Sequence, residues 1–467
     1  MTPDFTIHSQ KTVGKRIASN AGLLITAKAT GTVLGLGTLK IASHVLDPVS
    51  FGTVLLLHAY MLFFAEVSTF RNWQSVIRFG TDDLEARDAT AFGKLLKFCA
   101  KLDFLSVLFA YVFSVAMISV AAWMFMSFPN LAPDDLDVDL LTKFVPLYCL
   151  VLLTRQIGTS QGILRIFDRF GLLALEALTL PVCRFIGSVA VLFLGGGFEA
   201  FLLVWFGASA AGHLIVIFFA LNELRKRHLL SHFFKAKQGF TRTRKGLWPF
   251  AIKANVDSSI ASGVTHLPMI LVGAVFGPAW AGIYKIAEEV MKLLTEGFKL
   301  LDQVIYPELA KFVTKGEPSK IWPVVRRASM WMLGVGIAGS ALVWFIGPAA
   351  ISSPILFGED YREAAYLAAI LVPGAALLGM VTPIYPIFYA ANKPERAIYV
   401  RGFALFMYVA AFFSLAQILS PKDPLWINVK MAPAWAIVVG NLCAVVAALL
   451  MARSTLKPMV RAERNGE

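Results

Sequence analysis

A chain of 467 residues with a hydrophobic fraction of 57% and a mean hydropathy of +0.67 lies far outside the range of soluble domains. Apolar windows near twenty residues recur along its whole length, long enough for helices that cross about 30 Å of hydrocarbon. They are continuous rather than alternating, which excludes a β-barrel. The formal charge of +13 reads as membrane topology, because Lys and Arg collect in cytoplasmic loops; no nucleic-acid partner is expected.

The first residues, 1–17, form a polar tail without the apolar core and cleavage site of a secretory signal. Twelve spans follow, at roughly 18–44, 51–70, 103–126, 140–162, 172–193, 198–221, 247–273, 281–306, 324–348, 364–389, 398–419 and 432–452. Lys and Arg alternate from loop to loop without a break. The odd loops hold only Lys143, Arg362, Lys422 and Lys430, so both termini are expected in the cytoplasm. The most basic loop, with Arg225, Lys226, Arg227, Lys235, Lys237, Arg242, Arg244 and Lys245, divides the chain. The expected domains are a six-helix bundle over 18–222, a basic linker over 223–246, a second six-helix bundle over 247–452 and a tail over 453–467. A turn of the form Pro-x-x-x-Gly recurs, at Pro48–Gly52 and Pro278–Gly282, and the same offset brings Glu66 onto Glu296. Each half holds an even number of spans, so the halves insert in the same orientation, related by an axis along the membrane normal.

A charge at the bilayer centre costs about 2.5–3.5 kcal/mol, so cations inside spans must face a wet cavity, pair with acids or snorkel. Lys40 and Arg71 sit near span ends, where snorkelling suffices. Lys253 and Asp257 are one turn apart and can pair. The eighth span carries Lys285, Glu288, Glu289, Lys292, Glu296 and Lys299 at helical spacing, either as a binding surface or as an ion-pair ladder. Lys28, Arg155 and Arg184 have no carboxylate within one turn of their own helix. These three are the leading candidates for a cavity that meets an anion, and Arg suits phosphate because its planar fork donates two hydrogen bonds. The cationic set is thus Lys28, Arg155, Arg184, Lys253, Lys285 and Lys292. The coupling or polar set is Glu66, Asp257, Glu288, Glu289 and Glu296. Asn20, Thr26, Thr30 and Thr32 around Lys28, with Asn255, Ser258 and Ser259 in the seventh span, could line the same cavity or only pack. Cys99, Cys149, Cys183 and Cys443 are scattered and read as inert thiols. The seven histidines make no metal-like pair, and no catalytic or nucleotide-binding motif occurs; the chain is read as a transporter without a metal or cofactor.

Leu46-Asp47-Pro48-Val49-Ser50-Phe51-Gly52, with a second span ending Gln74-Ser75-Val76-Ile77-Arg78-Phe79-Gly80, resembles the start of bacterial polysaccharide-export flippases. These are O-antigen-type members of the multidrug/oligosaccharidyl-lipid/polysaccharide superfamily. Gly282-Ile283-Tyr284, Tyr306-Pro307-Glu308-Leu309, Phe357-Gly358-Glu359-Asp360-Tyr361 and Ala391-Asn392-Lys393-Pro394 are similar too. Thr69-Phe70-Arg71 departs from the family's Asp-Phe-Gly-like turn. The resemblance implies a V-shaped, MATE-like pair of six-helix bundles in the inner membrane. It implies that the first, second, seventh and eighth spans wall a cavity, and that the substrate is an undecaprenyl pyrophosphate-linked glycan flipped by alternating access. A proton or sodium ion is the candidate coupling ion. Membrane lipids and polysaccharide polymerase machinery are the further expected partners. Two rivals stand: a drug/cation antiporter of the same superfamily, coupled through Asp257 or Glu66, and a membrane glycan ligase or polymerase, against which the short outside loops argue.

Overall fold

A computed structural model describes residues 3–5, 13–70, 72–237, 239, 246–293, 321–381, 384–390, 393 and 395–465, and among them sixteen α-helices order the chain. They are α1 Val13–Val45, α2 Pro48–Ser68, α3 Asn72–Glu85, α4 Ala89–Ser127, α5 Val138–Cys149, α6 Gly158–Ile166, α7 Phe170–Leu194, α8 Phe198–Lys226, α9 Leu230–Lys235, α10 Leu247–Phe276, α11 over 278–293, α12 Ile321–Ile351, α13 Glu363–Val381, α14 Tyr385–Ala390, α15 Glu395–Ile418 and α16 Ala432–Asn465. Among the described residues no strand occurs, as the unbroken apolar runs require. Among the described residues ten helices are long and apolar enough to cross a membrane. Of the two further expected spans, the seventh falls in α10, whose side chains are described only in part, and the eighth, expected over 281–306, lies partly outside the described residues. Glu296 and Arg71 also lie outside them, as do the side chains of Lys253 and Asp257.

The chain forms two compact units, Met1–Ile270 and Leu271–Glu467. In the first, short acidic residues fix where helices begin. Asp47 accepts from Val49 N and Ser50 N ahead of α2, with Pro48 in the first turn, where its missing N–H is no loss. Asp88 and Asp137 cap α4 and α5 in the same way. Packing within the membrane uses small residues. Gly31 of α1 lies against Pro181 of α7, and a Cβ at Gly37 would come 2.8 Å from the Phe185 ring. Gly187 of α7 is pressed on Val204 of α8 in the same manner.

The second expected span, 51–70, ends at Ser68, and a further helix that the sequence did not lead us to expect, α3, starts at Asn72. One expected span proves to be broken. The fourth, read as continuous over 140–162, is α5, then a 3-10 turn Leu150–Thr154, then α6 from Gly158. One buried carboxylate holds both restarts. Asp103 of α4 accepts from Thr159 N at 2.7 Å, from Thr159 Oγ1 at 2.6 Å and from Asn72 Nδ2 at 2.6 Å. It therefore serves the open N-terminus of α6, whose first amides have no partner within the helix. Gly158 is required there, since a Cβ would stand 2.7 Å from Asp103 Oδ1.

In the second unit α12 packs on α13, and α16 packs on α13 and α15. A Cβ at Gly336 of α12 would collide with Ala376 of α13, and one at Gly440 of α16 would press on Ala404 O and Tyr408 of α15. Asn441 of α16 donates to Gly374 O at 2.9 Å in the interior. The tenth expected span is also divided, into α13 and α14.

Candidate functional site

The interior of the N-terminal unit carries polar side chains from four directions. Helix α2 supplies His58 and Glu66. The broken stretch after α5 supplies Thr154 and Arg155. Helix α7 supplies Glu176 and Arg184, and α8 supplies Trp205, Ser209 and His213. Irregular backbone at membrane depth is tolerated only where protein or a wet cavity surrounds it. Pro146 inside α5 and the 3-10 turn that follows present Arg155 to this interior rather than to lipid.

Arg184 is gripped by neutral groups. Its Nη2 donates to His58 Nε2 at 2.8 Å and to Ser209 Oγ at 3.2 Å, and the guanidinium lies 4.4 Å over the Trp205 ring. His58 Nδ1 is 2.8 Å from Tyr148 Oη. A guanidinium only donates, so Nε2 is the acceptor, and the imidazole proton is assigned to Nδ1 with Tyr148 Oη accepting it. Among the described residues no carboxylate lies within ion-pair distance of Arg184, and its Nε is buried without a partner.

Arg155 is paired across helices. No carboxylate lies near it on its own helix, but Glu66 reaches it from α2, with Nη2 3.3 Å from Oε1. Only one end of the fork is used, and Nη1 is buried without a hydrogen bond. Beside it Thr154 Oγ1 meets His213 Nδ1 at 2.8 Å. Further along, Glu176 accepts from Gln161 Nε2 at 3.3 Å, and Gln161 in turn accepts from Arg165, which lies over Trp73. Lys28 is exposed on α1, and no carboxylate among the described residues pairs with it.

Several polar residues grouped with these from the sequence do other work. The hydroxyls of Thr26 and Thr32 bond back to Gly22 O and Lys28 O of their own helix. Asn255 and Ser259 of α10 donate to Thr69 O and Val67 O, satisfying carbonyls at the open end of α2. In the second unit, Lys285 meets Glu288 at 2.6 Å and Glu289 at 2.9 Å, and Lys292 meets the same two at 3.1 and 3.0 Å. The described part of the eighth-span stripe is therefore an ion-pair ladder.

No protein-family model matches the chain. The inner membrane protein YghQ of Escherichia coli (strain K12) is 29% identical over 350 residues, covering 75% of this chain and 95% of that protein. An inward-facing conformation of a multidrug resistance MATE family transporter of the MOP superfamily aligns with a TM-score of 0.71 at 12% identity, over 92% of this chain and 96% of that one. A MATE in the straight conformation aligns with a TM-score of 0.59 at 12% identity, over 96% and 97%. The fold is the MATE fold. The all-helical membrane architecture expected from the sequence is thereby established.

Within this MATE fold, sequence reasoning passed over His58, Asp103, Tyr148, Trp205 and His213. His58 and His213 had a usable signal, since an ionisable residue inside a long apolar run is a functional candidate by default. Asp103 stands at the edge of an apolar run and looks like a boundary residue. Its role appears only when Asn72 and Thr159 are brought to it.

Proposed function

We propose that this protein is a MATE-fold transporter of the bacterial inner membrane that flips an undecaprenyl pyrophosphate-linked oligosaccharide by alternating access, for export of surface polysaccharide. The observation that carries this reading is Arg184, a guanidinium inside the N-terminal unit held by His58, Ser209 and Trp205 with no carboxylate partner among the described residues. Keeping an uncompensated cation at membrane depth is expensive, and a pyrophosphate supplies the missing charge. Arg155, with one nitrogen unengaged, and Lys28 extend the anion-binding set. Glu66, bound to Arg155, is the group that a coupling proton or sodium ion would reach. Lys285 and Lys292 are engaged by Glu288 and Glu289 and would contact substrate only by leaving them. The loop charges support a cytoplasmic location for both termini, and polysaccharide polymerase machinery is the expected partner. The inner-membrane assignment is supported by the likeness to YghQ.

The test is complementation of a flippase-deleted bacterium with the parent and with Arg184→Gln and Arg184→Lys, at matched membrane levels. The parent restores surface polysaccharide, Arg184→Gln does not, and Arg184→Lys recovers little, because an ammonium cannot reproduce the planar fork. Restoration by Arg184→Gln at the parent level removes the anion site. A parent that restores nothing but confers resistance to cationic drugs passes the chain to the antiporter reading, in which the Glu66 carboxylate carries the coupling ion.

A further inference from the structure

Two hydrogen bonds fix the ring proton of His213. Thr154 Oγ1 donates its single hydrogen to Val151 O at 2.7 Å and stands 2.8 Å from His213 Nδ1. With that hydrogen spent, the hydroxyl accepts. Nδ1 therefore carries the proton, and Nε2 of the neutral imidazole is assigned an open lone pair. Among the described residues nothing bonds to Nε2, and the residue is half-buried. A histidine that only fills a core hides or bonds both nitrogens; His213 commits one of them.

The open nitrogen lies among the cations of the interior. Thr154 is the chain neighbour of Arg155. Ser209, which accepts from Arg184, is one turn from His213 on the same face of α8. The charges of Arg155 and Arg184 both reach the ring. The other titratable groups that the neighbouring helices bring here are engaged. Glu66 of α2 meets Arg155, and His58 of α2 accepts from Arg184 and meets Tyr148 of α5. Arg165 of α6 and Glu176 of α7 both bond to Gln161. Toward the other end of α8, Glu223 holds Arg169 and Arg227, and α9 follows with His232 and Lys235. Among the described residues, Arg165 offsets Glu176, and Arg155 and Arg184 against Glu66 leave one positive charge. A doubly charged anion overshoots that by one. A proton on Nε2 closes the count and adds a donor beside the two guanidinium groups.

We propose that His213 binds a proton together with the anion: when a phosphate-type dianion occupies Arg184 and Arg155, a proton taken from solvent forms the Nε2–H bond, and the imidazolium donates to the anion. This rests on the anion-binding reading of Arg184, and it gives the site a proton-binding group besides Glu66. Proton and anion then strengthen each other's binding by the same factor, as linkage requires. Return of the proton to solvent loosens the anion for release.

The probe is inorganic sulfate, which stays doubly charged near neutral pH and brings no proton of its own. Its affinity for the full-length protein in detergent is read from the concentration dependence of thermal stabilisation, at about pH 6 and about pH 8. Binding that takes up a proton tightens as pH falls, so the parent is expected to gain up to roughly tenfold in affinity per pH unit. His213→Gln keeps a donor for Thr154 and cannot titrate, and its sulfate affinity is expected not to change with pH. Proton uptake from weakly buffered solution on adding sulfate checks the parent without any substitution. A parent that takes up no proton, or whose affinity ignores pH, overturns the proposal and leaves the anion reading standing. A pH dependence that survives in His213→Gln also overturns it, by assigning the proton to another group. Sulfate binding that is absent in the parent, or that Arg184→Gln does not weaken, overturns the anion reading itself and this proposal with it.

Discussion

On α11, Lys285, Glu288, Glu289 and Lys292 neutralise one another within about two turns of one helix. In the N-terminal unit Arg184 draws His58 from α2 and Ser209 and Trp205 from α8, and meets no carboxylate among the described residues. The ladder is redundant and self-contained, because each lysine touches both acids. The interior network is single-copy and spread over several helices, and its charge does not close. A closed ladder stabilises whatever surrounds it equally in every state, whereas an open network has affinity left for a ligand. The same contrast separates stability from transport in the predictions that follow.

The largest effect on stability is expected at Asp103. Replacing it by Ala leaves Thr159 N–H and the Thr159 hydroxyl buried without their acceptor, and leaves Asn72 Nδ2 with Cys99 O alone. Each stranded buried group costs roughly 1–3 kcal/mol, so Asp103→Ala is expected to lose about 3 kcal/mol or more. Asp103→Asn keeps an acceptor oxygen and loses less. Thermal or denaturant unfolding in detergent reads both. Equal, small losses from the two variants show that the restarts of α3 and α6 do not depend on this carboxylate.

The Glu66–Arg155 pair comes next, and it bears directly on the comparison. A double-mutant cycle of Glu66→Gln and Arg155→Gln, read by unfolding, is expected to show a coupling of about 1–2 kcal/mol, within the range for half-buried neighbours in contact. Arg155→Gln alone is expected to reduce the proposed glycan export more than it reduces stability, because its second nitrogen is not committed to the fold. A variant whose loss of export follows its loss of folded protein at every temperature makes Arg155 a structural residue, and the interior network then resembles the ladder after all.

How much of this was legible beforehand depends on the distance in sequence between partners. The apolar runs and the charged stripe of α11 are local patterns that read directly from spacing, though spacing left the stripe open between a binding surface and a ladder; Pro48–Gly52, read as a turn, is the first turn of α2. Glu66 and Arg155 are 89 residues apart, and His58 and Arg184 are 126 apart; nothing in the periodicity joins them. Likewise Leu150-Val151-Leu152-Leu153 reads as unbroken span. The helix stops there because Asp103 offers the N-terminus of α6 a better acceptor than a continued helix would, and that is a tertiary preference.

The smallest expected effect completes the contrast. Lys285→Met removes one rung of the ladder, yet Glu288 and Glu289 both keep Lys292 at 3.1 and 3.0 Å. Pairs one turn apart contribute about 0.2–0.5 kcal/mol each, and the surviving rungs take up part of the loss. The single variant is therefore expected to destabilise by less than about 1 kcal/mol and to leave the proposed glycan export near the parent level. Lys285→Met with Lys292→Met strands two carboxylates that share one face, and the joint loss is expected to exceed the sum of the single losses. Additive losses mean that the rungs act independently. A single variant that abolishes export while folding normally means that Lys285 leaves its acids during the cycle, so the ladder belongs with Arg184 as a ligand-binding surface.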